Sequence, residues 1–159
     1  MSQGGLGATH GDEAMQVIDI LRHKGRDVVF LPADANVSDA TVLLAAKRIG
    51  AVVVKDEHGA VAGILSERDV VKAVATESVR ALARPVAAFM TRAVATCHET
   101  DSVEALMAMM TDGRFRHVPV LDEAGELVGL VSIGDVVKAH IEETTREASN
   151  LREFIVAAR

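Results

Sequence analysis

The eleven residues from Gly63 to Ala73, GILSERDVVKA, return without a gap 66 positions later as GLVSIGDVVKA, Gly129 to Ala139. With the comparison extended upstream, 12 of the 22 residues from Val52 to Ala73 equal their counterparts from Val118 to Ala139. Unrelated sequence of ordinary composition would give roughly one or two. The chain is therefore an internal duplication, and repeated units of this kind bury their apolar faces against one another. At 159 residues there is room for one compact domain or for two small halves sharing a core; each half alone would bury too little.

Both copies share one local grammar. An apolar run, Val61 to Leu65 or Leu127 to Val131, meets a Ser, two variable residues, an Asp and a second apolar stretch. This pattern predicts strand, tight turn and helix. Ser66 and Ser132 stand where an N-cap belongs, with Asp69 and Asp135 at the third helical position, so a capping box that satisfies orphan amides is one reading. The other is an anion site, because a helix start offers free N–H groups and the positive end of a dipole, and a nearby Asp can accept two hydrogen bonds from a ribose diol.

Upstream of these junctions stand Val52-Val53-Val54-Lys55-Asp56 and His117-Val118-Pro119-Val120-Leu121-Asp122. With the two Gly-h-h-Ser-x-x-Asp units, they resemble a tandem pair of CBS (cystathionine-beta-synthase-type) domains, a Bateman module, over about residues 15 to 141. The resemblance implies an α/β (α+β) fold of two β-α-β-β-α repeats with pseudo-twofold symmetry. It also implies a regulatory module that holds adenosine-containing ligands in two clefts between the repeats, with the Asp on the ribose and the Ser near the phosphates.

In such pairs each cleft takes its Ser and Asp from one half and strand-edge residues from the other. Carried onto this sequence, the first cleft combines Ser66, Arg68 and Asp69 with Phe115, Arg116, His117 and Val118. The second combines Ser132 and Asp135 with Ile49, Gly50, Ala51 and the segment from Lys24 to Val29, Lys24 and Val28 included. The 66-residue offset sets Arg68 against Gly134, so the clefts are chemically unequal. Two arginines and a histidine suit phosphate, because guanidinium forks match its oxygens in paired, charge-assisted hydrogen bonds. An adenine nucleotide is expected in the first cleft. The second should tolerate a ligand with less grip on phosphate, and a dinucleotide such as NAD(H) or a second mononucleotide would span both.

Composition excludes several other classes. A net charge of -6, no Trp, no Tyr and no basic stripe speak against a nucleic-acid surface. No apolar run approaches membrane-spanning length and no signal-peptide core opens the chain, so a cytoplasmic location away from membranes is expected. The single Cys97 cannot form an internal disulfide. The histidines at 10, 23, 58, 98, 117 and 140 show no His-x-x-x-His spacing, and neither a Walker loop nor a Gly-x-Gly-x-x-Gly fingerprint occurs. No enzyme, required cofactor or metal site is expected; Cys97 and Met107, Met109 and Met110 read as core.

In chain order, residues 1–14 read as a disordered lead, 15–76 as the first repeat, 77–85 as the joint, 86–141 as the second repeat and 142–159 as a C-terminal helix. Expected elements in the first half are a helix from Met15 ending at Lys24-Gly25, a strand at Val28 to Leu31 and a helix after Asn36 with Val37, Ala40, Leu44 and Arg48 along one face. Strands at Ala51 to Val54 and before Ser66 follow, then a helix to about Thr76. The second half should have a short helix at Val86 to Met90 and strands at Val94 to Thr96, His117 to Leu121 and Leu127 to Val131. Helices are expected after Ser102 and from Ile133. Ile141, Thr145, Ala148, Leu151 and Ile155 recur at helical spacing, which suits either packing onto the domain or a dimer contact.

These features predict a stand-alone module that binds AMP, ADP, ATP or NAD(H) and reports to an unidentified target protein by a change of conformation or oligomeric state, with a homodimer expected from the resemblance. The alternative is a structural or interaction module of the same fold whose clefts are vestigial.

Overall fold

The computed structural model describes residues 14–158; the expected disordered lead falls almost wholly outside them. The elements in order are α1 (Val17–Lys24), β1 (Phe30–Pro32), α2 (Val37–Lys47), β2 (Ala51–Lys55), β3 (Val61–Ser66) and α3 (Glu67–Glu77). After 3-10 turns at Ser78–Ala83 and Val86–Ala88 come β4 (Cys97–His98), α4 (Val103–Gly113), β5 (His117–Leu121), β6 (Leu127–Ser132) and α5 (Ile133–Ala157).

Each half builds a three-stranded sheet of the same design. β1 pairs parallel with β2 and β2 antiparallel with β3; β4, β5 and β6 repeat this order. The hairpin turns are alike: Asp56 Oδ1 accepts the N–H groups of His58 and Ala60, and Asp122 Oδ1 accepts those of Ala124 and Glu126. Gly59 and Gly125 close the turns at φ 79 and 81, where a side chain would be strained. Helix starts are fixed by side-chain caps: Asn36 for α2, Ser66 for α3, Ser102 for α4 and Ser132 for α5.

The leading helices are exchanged between the halves. α1 lies against β6 and α5, and its Val17, Ile20 and Leu21 belong to the second half's core with Val103, Leu106, Val118 and Val131. In turn Val86 and Met90, from the segment joining the halves, complete the first half's core of Val37, Leu44, Val52 and Leu65. The backbone bonds repeat accordingly: Val17 N–H reaches Asp101 O and Val86 N–H reaches Ala35 O, while Ile18 N–H reaches Glu99 O and Ala87 N–H reaches Ala33 O. Leu21 and Met90 fill equivalent places over Gly129 and Gly63. Neither half closes its core without the segment that precedes the other.

Three expectations about elements change. The fourth strand is Cys97–His98, beginning just after the expected Val94–Thr96 ends, because the chain leaving Met90 first bridges Ile64 through Thr91 and runs past the cleft at Val94 and Ala95. Arg48 does not continue the face of α2, which ends at Lys47; with φ 53 it turns out of the helix, and Arg114 does the same after α4 with φ 55. The first strand is Phe30–Pro32, later by two residues than Val28 and ending on Pro32.

Candidate functional site

The first cleft begins where β3 becomes α3. Ser66 caps α3: its Oγ accepts the Asp69 N–H at 3.2 Å and donates to Asp69 Oδ2 at 3.0 Å, which also accepts the Ser66 N–H at 2.9 Å. The box uses only one carboxylate oxygen of Asp69. The first amide of α3, on Glu67, donates to the Gly50 carbonyl; among the described residues the Arg68 amide has no partner and is left for water or a ligand.

Around this junction opens a cavity of about 620 Å³, within the ordinary range for a small-molecule site. Ser66, Arg68 and Asp69 line it from the first half, and Phe115, Arg116 and His117 from the second. Six of the seven residues expected at this cleft thus meet there. The seventh, Val118, is fully buried in the core, since the strand alternation turns it inward beside His117.

The cavity also holds Lys72, one turn on from Arg68, and Arg114, which the left-handed turn after α4 carries to the rim. Gly113 permits that turn because the Phe115 ring lies where its Cβ would be. Thr91, Ala93, Val94 and Ala95 form a further wall. A strand reading of 94–96 hides this wall, whereas Lys72 was open to detection from its i+4 spacing to Arg68. Four cations, Arg68, Lys72, Arg114 and Arg116, therefore face one cavity against Glu67 and Asp69, and none of the four is ion-paired among the described residues.

The second junction has the same cap but a different neighbour. Asp135 Oδ2 accepts the Ser132 N–H at 2.9 Å, and Lys24 Nζ stands 2.6 Å from the same oxygen while donating to the Leu130 carbonyl at 2.8 Å. Burial pushes the Asp135 carboxyl up, but the Lys24 ammonium and the Ser132 N–H outweigh it and hold the group below its ordinary value. Lys24 is thus brought to Asp135, as the sequence suggested, but as its ion-pair partner. Of the others expected here, Ala51 is buried, Ile49 packs on the first core and Val28 is half-buried ahead of β1. Gly50 lines the first cavity instead: a Cβ there would lie 3.2 Å from His117 Nε2, so it stands where the halves touch.

His117 sits between the two junctions. Burial and the Lys24 charge hold its imidazole below the ordinary 6.5, against the opposing pull of Asp135 and Glu67. Among the described residues no helix is long and apolar enough to cross a membrane.

Comparison with known proteins agrees with this architecture. The CBS domain family matches residues 16–76 and 86–142. The mitochondrial CBS domain-containing protein CBSX3 of Arabidopsis thaliana is 33% identical over 153 residues, covering 91% of this chain and 74% of that protein. The crystal structure of the CBS-domain-containing protein ATU1752 from Agrobacterium tumefaciens superposes with a TM-score of 0.74 at 49% identity, covering 79% of this chain and 98% of its own. CBSX2, solved in complex with AMP, superposes at 0.65 with 25% identity, covering 80% and 97%. Two copies of the motif, two like sheets and exchanged leading helices make this chain a CBS-domain pair, and it belongs to the CBS domain family.

Proposed function

We propose that the chain is a regulatory module that binds one adenosine nucleotide in the first cleft and signals to a partner protein through the arrangement of its two halves. The observation that carries this reading is the convergence on a single cavity of Asp69, with one carboxylate oxygen outside its cap, and four cations that are unpaired among the described residues. The ribose diol goes to Asp69 and the phosphates to Arg68, Arg114 and Arg116, in charge-assisted bonds. The base lies on aliphatic wall residues such as Ile64 and Val94. The complex of CBSX2 with AMP supports the ligand class.

The second junction is not a second site in this reading, because Lys24 already pairs with Asp135. A mononucleotide is favoured over a dinucleotide spanning both clefts for the same reason. Since the cavity walls come from both halves, a bound nucleotide shifts their arrangement by its differential affinity for the closed form.

The test is a thermal-shift and calorimetric series with AMP, ATP, NADH and S-adenosylmethionine on nucleotide-free protein. A ligand at 100 times its dissociation constant adds about 2.7 kcal/mol. The reading expects AMP or ATP to stabilise the wild type and to lose that effect in Arg116→Ala. No response to any of the four would overturn it in favour of an interaction module with vestigial clefts.

A further inference from the structure

α5 runs well past the domain. Its Val136 and Ala139 are buried, and Glu143 accepts the Met15 N–H at 2.8 Å, but from Thr144 to Ala157 every residue is exposed. A free helical segment of this length is marginal in water unless a partner covers its apolar side. The exposed side has a register. Ile141, Ala148 and Ile155 recur every seventh residue, with Val137, Thr144 and Leu151 four residues before each. This alternation of threes and fours is the seam of a left-handed coiled coil; the pairing that favours two strands, isoleucine first and leucine fourth, stands at Leu151 and Ile155, while Thr144 and Ala148 hold the middle. Val137, Ile141, Leu151 and Ile155 are 43%, 59%, 59% and 52% exposed, so the seam is open, and at Val137 and Ile141 it faces away from the buried side.

We infer that α5 zips against α5 of a second copy as a parallel two-stranded coiled coil from Val137 to Ile155, with the two domains on its outer sides. Charge selects this partner and direction. Glu147 and Arg152 flank the seam on opposite edges, five residues apart, the spacing at which one helix of a parallel pair sets Glu147 beside Arg152 of the other, twice by symmetry. An antiparallel pair sets like edges together, Glu147 toward Glu147 and Arg152 toward Arg152. Between Glu142 and Ala157 four glutamates face two arginines, which disfavours an anionic bilayer as the cover. This inference does not depend on nucleotide binding.

Sedimentation equilibrium of the full chain tests it, with circular dichroism to confirm folding. The wild type should be a dimer, and Leu151→Asp with Ile155→Asp should raise its dissociation constant roughly 100-fold or more. Glu147→Arg should weaken the dimer and Glu147→Arg with Arg152→Glu should restore it. Leu151→Cys should cross-link on oxidation, since the native Cys97 is only 2% exposed and equivalent seam positions of a parallel pair lie within disulfide reach. A monomeric wild type, a dimer that survives the double aspartate variant, or a Leu151→Cys dimer that fails to cross-link would each overturn the parallel zipper.

Discussion

Lys24 Nζ lies 2.6 Å from Asp135 Oδ2, whereas among the described residues no cation pairs with Asp69. The leading segments match at a displacement of 69 residues, Met15 with Arg84, Val17 with Val86 and Leu21 with Met90, and then part: α1 stays helical to Lys24, whose ammonium donates to the Leu130 carbonyl, while in the other half the Thr91 N–H donates to the matching Ile64 carbonyl. Lys24 thus occupies one of the two capping-box carboxylates and leaves the other without an ion pair among the described residues.

Removal of the cation should open the second junction. Lys24→Ala is expected to raise the AMP stoichiometry above that of the wild type. The pair is partly exposed, so its loss should cost less than about 1 kcal/mol of stability. Calorimetric titration of the variant checks this; an unchanged stoichiometry in Lys24→Ala would separate the ion pair from ligand access.

Arg114 holds a left-handed backbone at φ 55, a conformation that costs a side-chain-bearing residue about 1–2 kcal/mol and glycine little. Arg114→Gly should therefore leave stability unchanged or raise it slightly while weakening nucleotide binding. Opposite signs in melting temperature and affinity are the expected result.

Gly63 and Gly129 occupy equivalent places, yet their alanine variants should differ. A Cβ on Gly63 would lie 2.5 Å from the Thr91 carbonyl oxygen, where the backbone must move; such overpacking typically costs about 1–3 kcal/mol. On Gly129 it would meet Leu21 Cδ2 at 2.6 Å, the end of a side chain that can rotate away. Chemical denaturation should find Gly63→Ala the more destabilised of the two.

The two shifted groups give a pH dependence with a definite sign. His117 is depressed from 6.5, so the unfolded chain takes up its proton first. Its contribution to stability is full above that value and is lost as pH falls through the folded value. Asp135, depressed from 3.8, likewise contributes above that value and loses its contribution at lower pH. Melting temperatures should fall on acidification below 6.5, and His117→Asn should flatten that part of the curve.

Much of this was legible from the repeat alone. The strands of β2, β3, β5 and β6 and the caps at Ser66 and Ser132 follow from patterns that recur within each copy. The meeting of Asp69 with Arg116 and His117 came from the family resemblance laid over that repeat. What escaped lies where the copies are out of step. The 66-residue offset holds from the first strand onward, but the leading segments are displaced by 69, so the repeat set Lys24 against Met90 and hid the match of Leu21 with Met90. Exchange of α1 between halves is likewise invisible locally, because Val17 and Leu21 look the same whichever core they enter. Arg48 fits the apolar period of α2 in sequence, and only its backbone turn removes it.

Isothermal titration of AMP into the wild type, Asp69→Ala and Asp135→Ala tests the central claim most directly. The account predicts about one site per chain in the wild type, affinity lower by roughly tenfold or more in Asp69→Ala from lost charge-assisted bonds, and the first-cleft affinity kept in Asp135→Ala. Binding that survives Asp69→Ala and disappears in Asp135→Ala would contradict it, placing the nucleotide at the junction that Lys24 occupies.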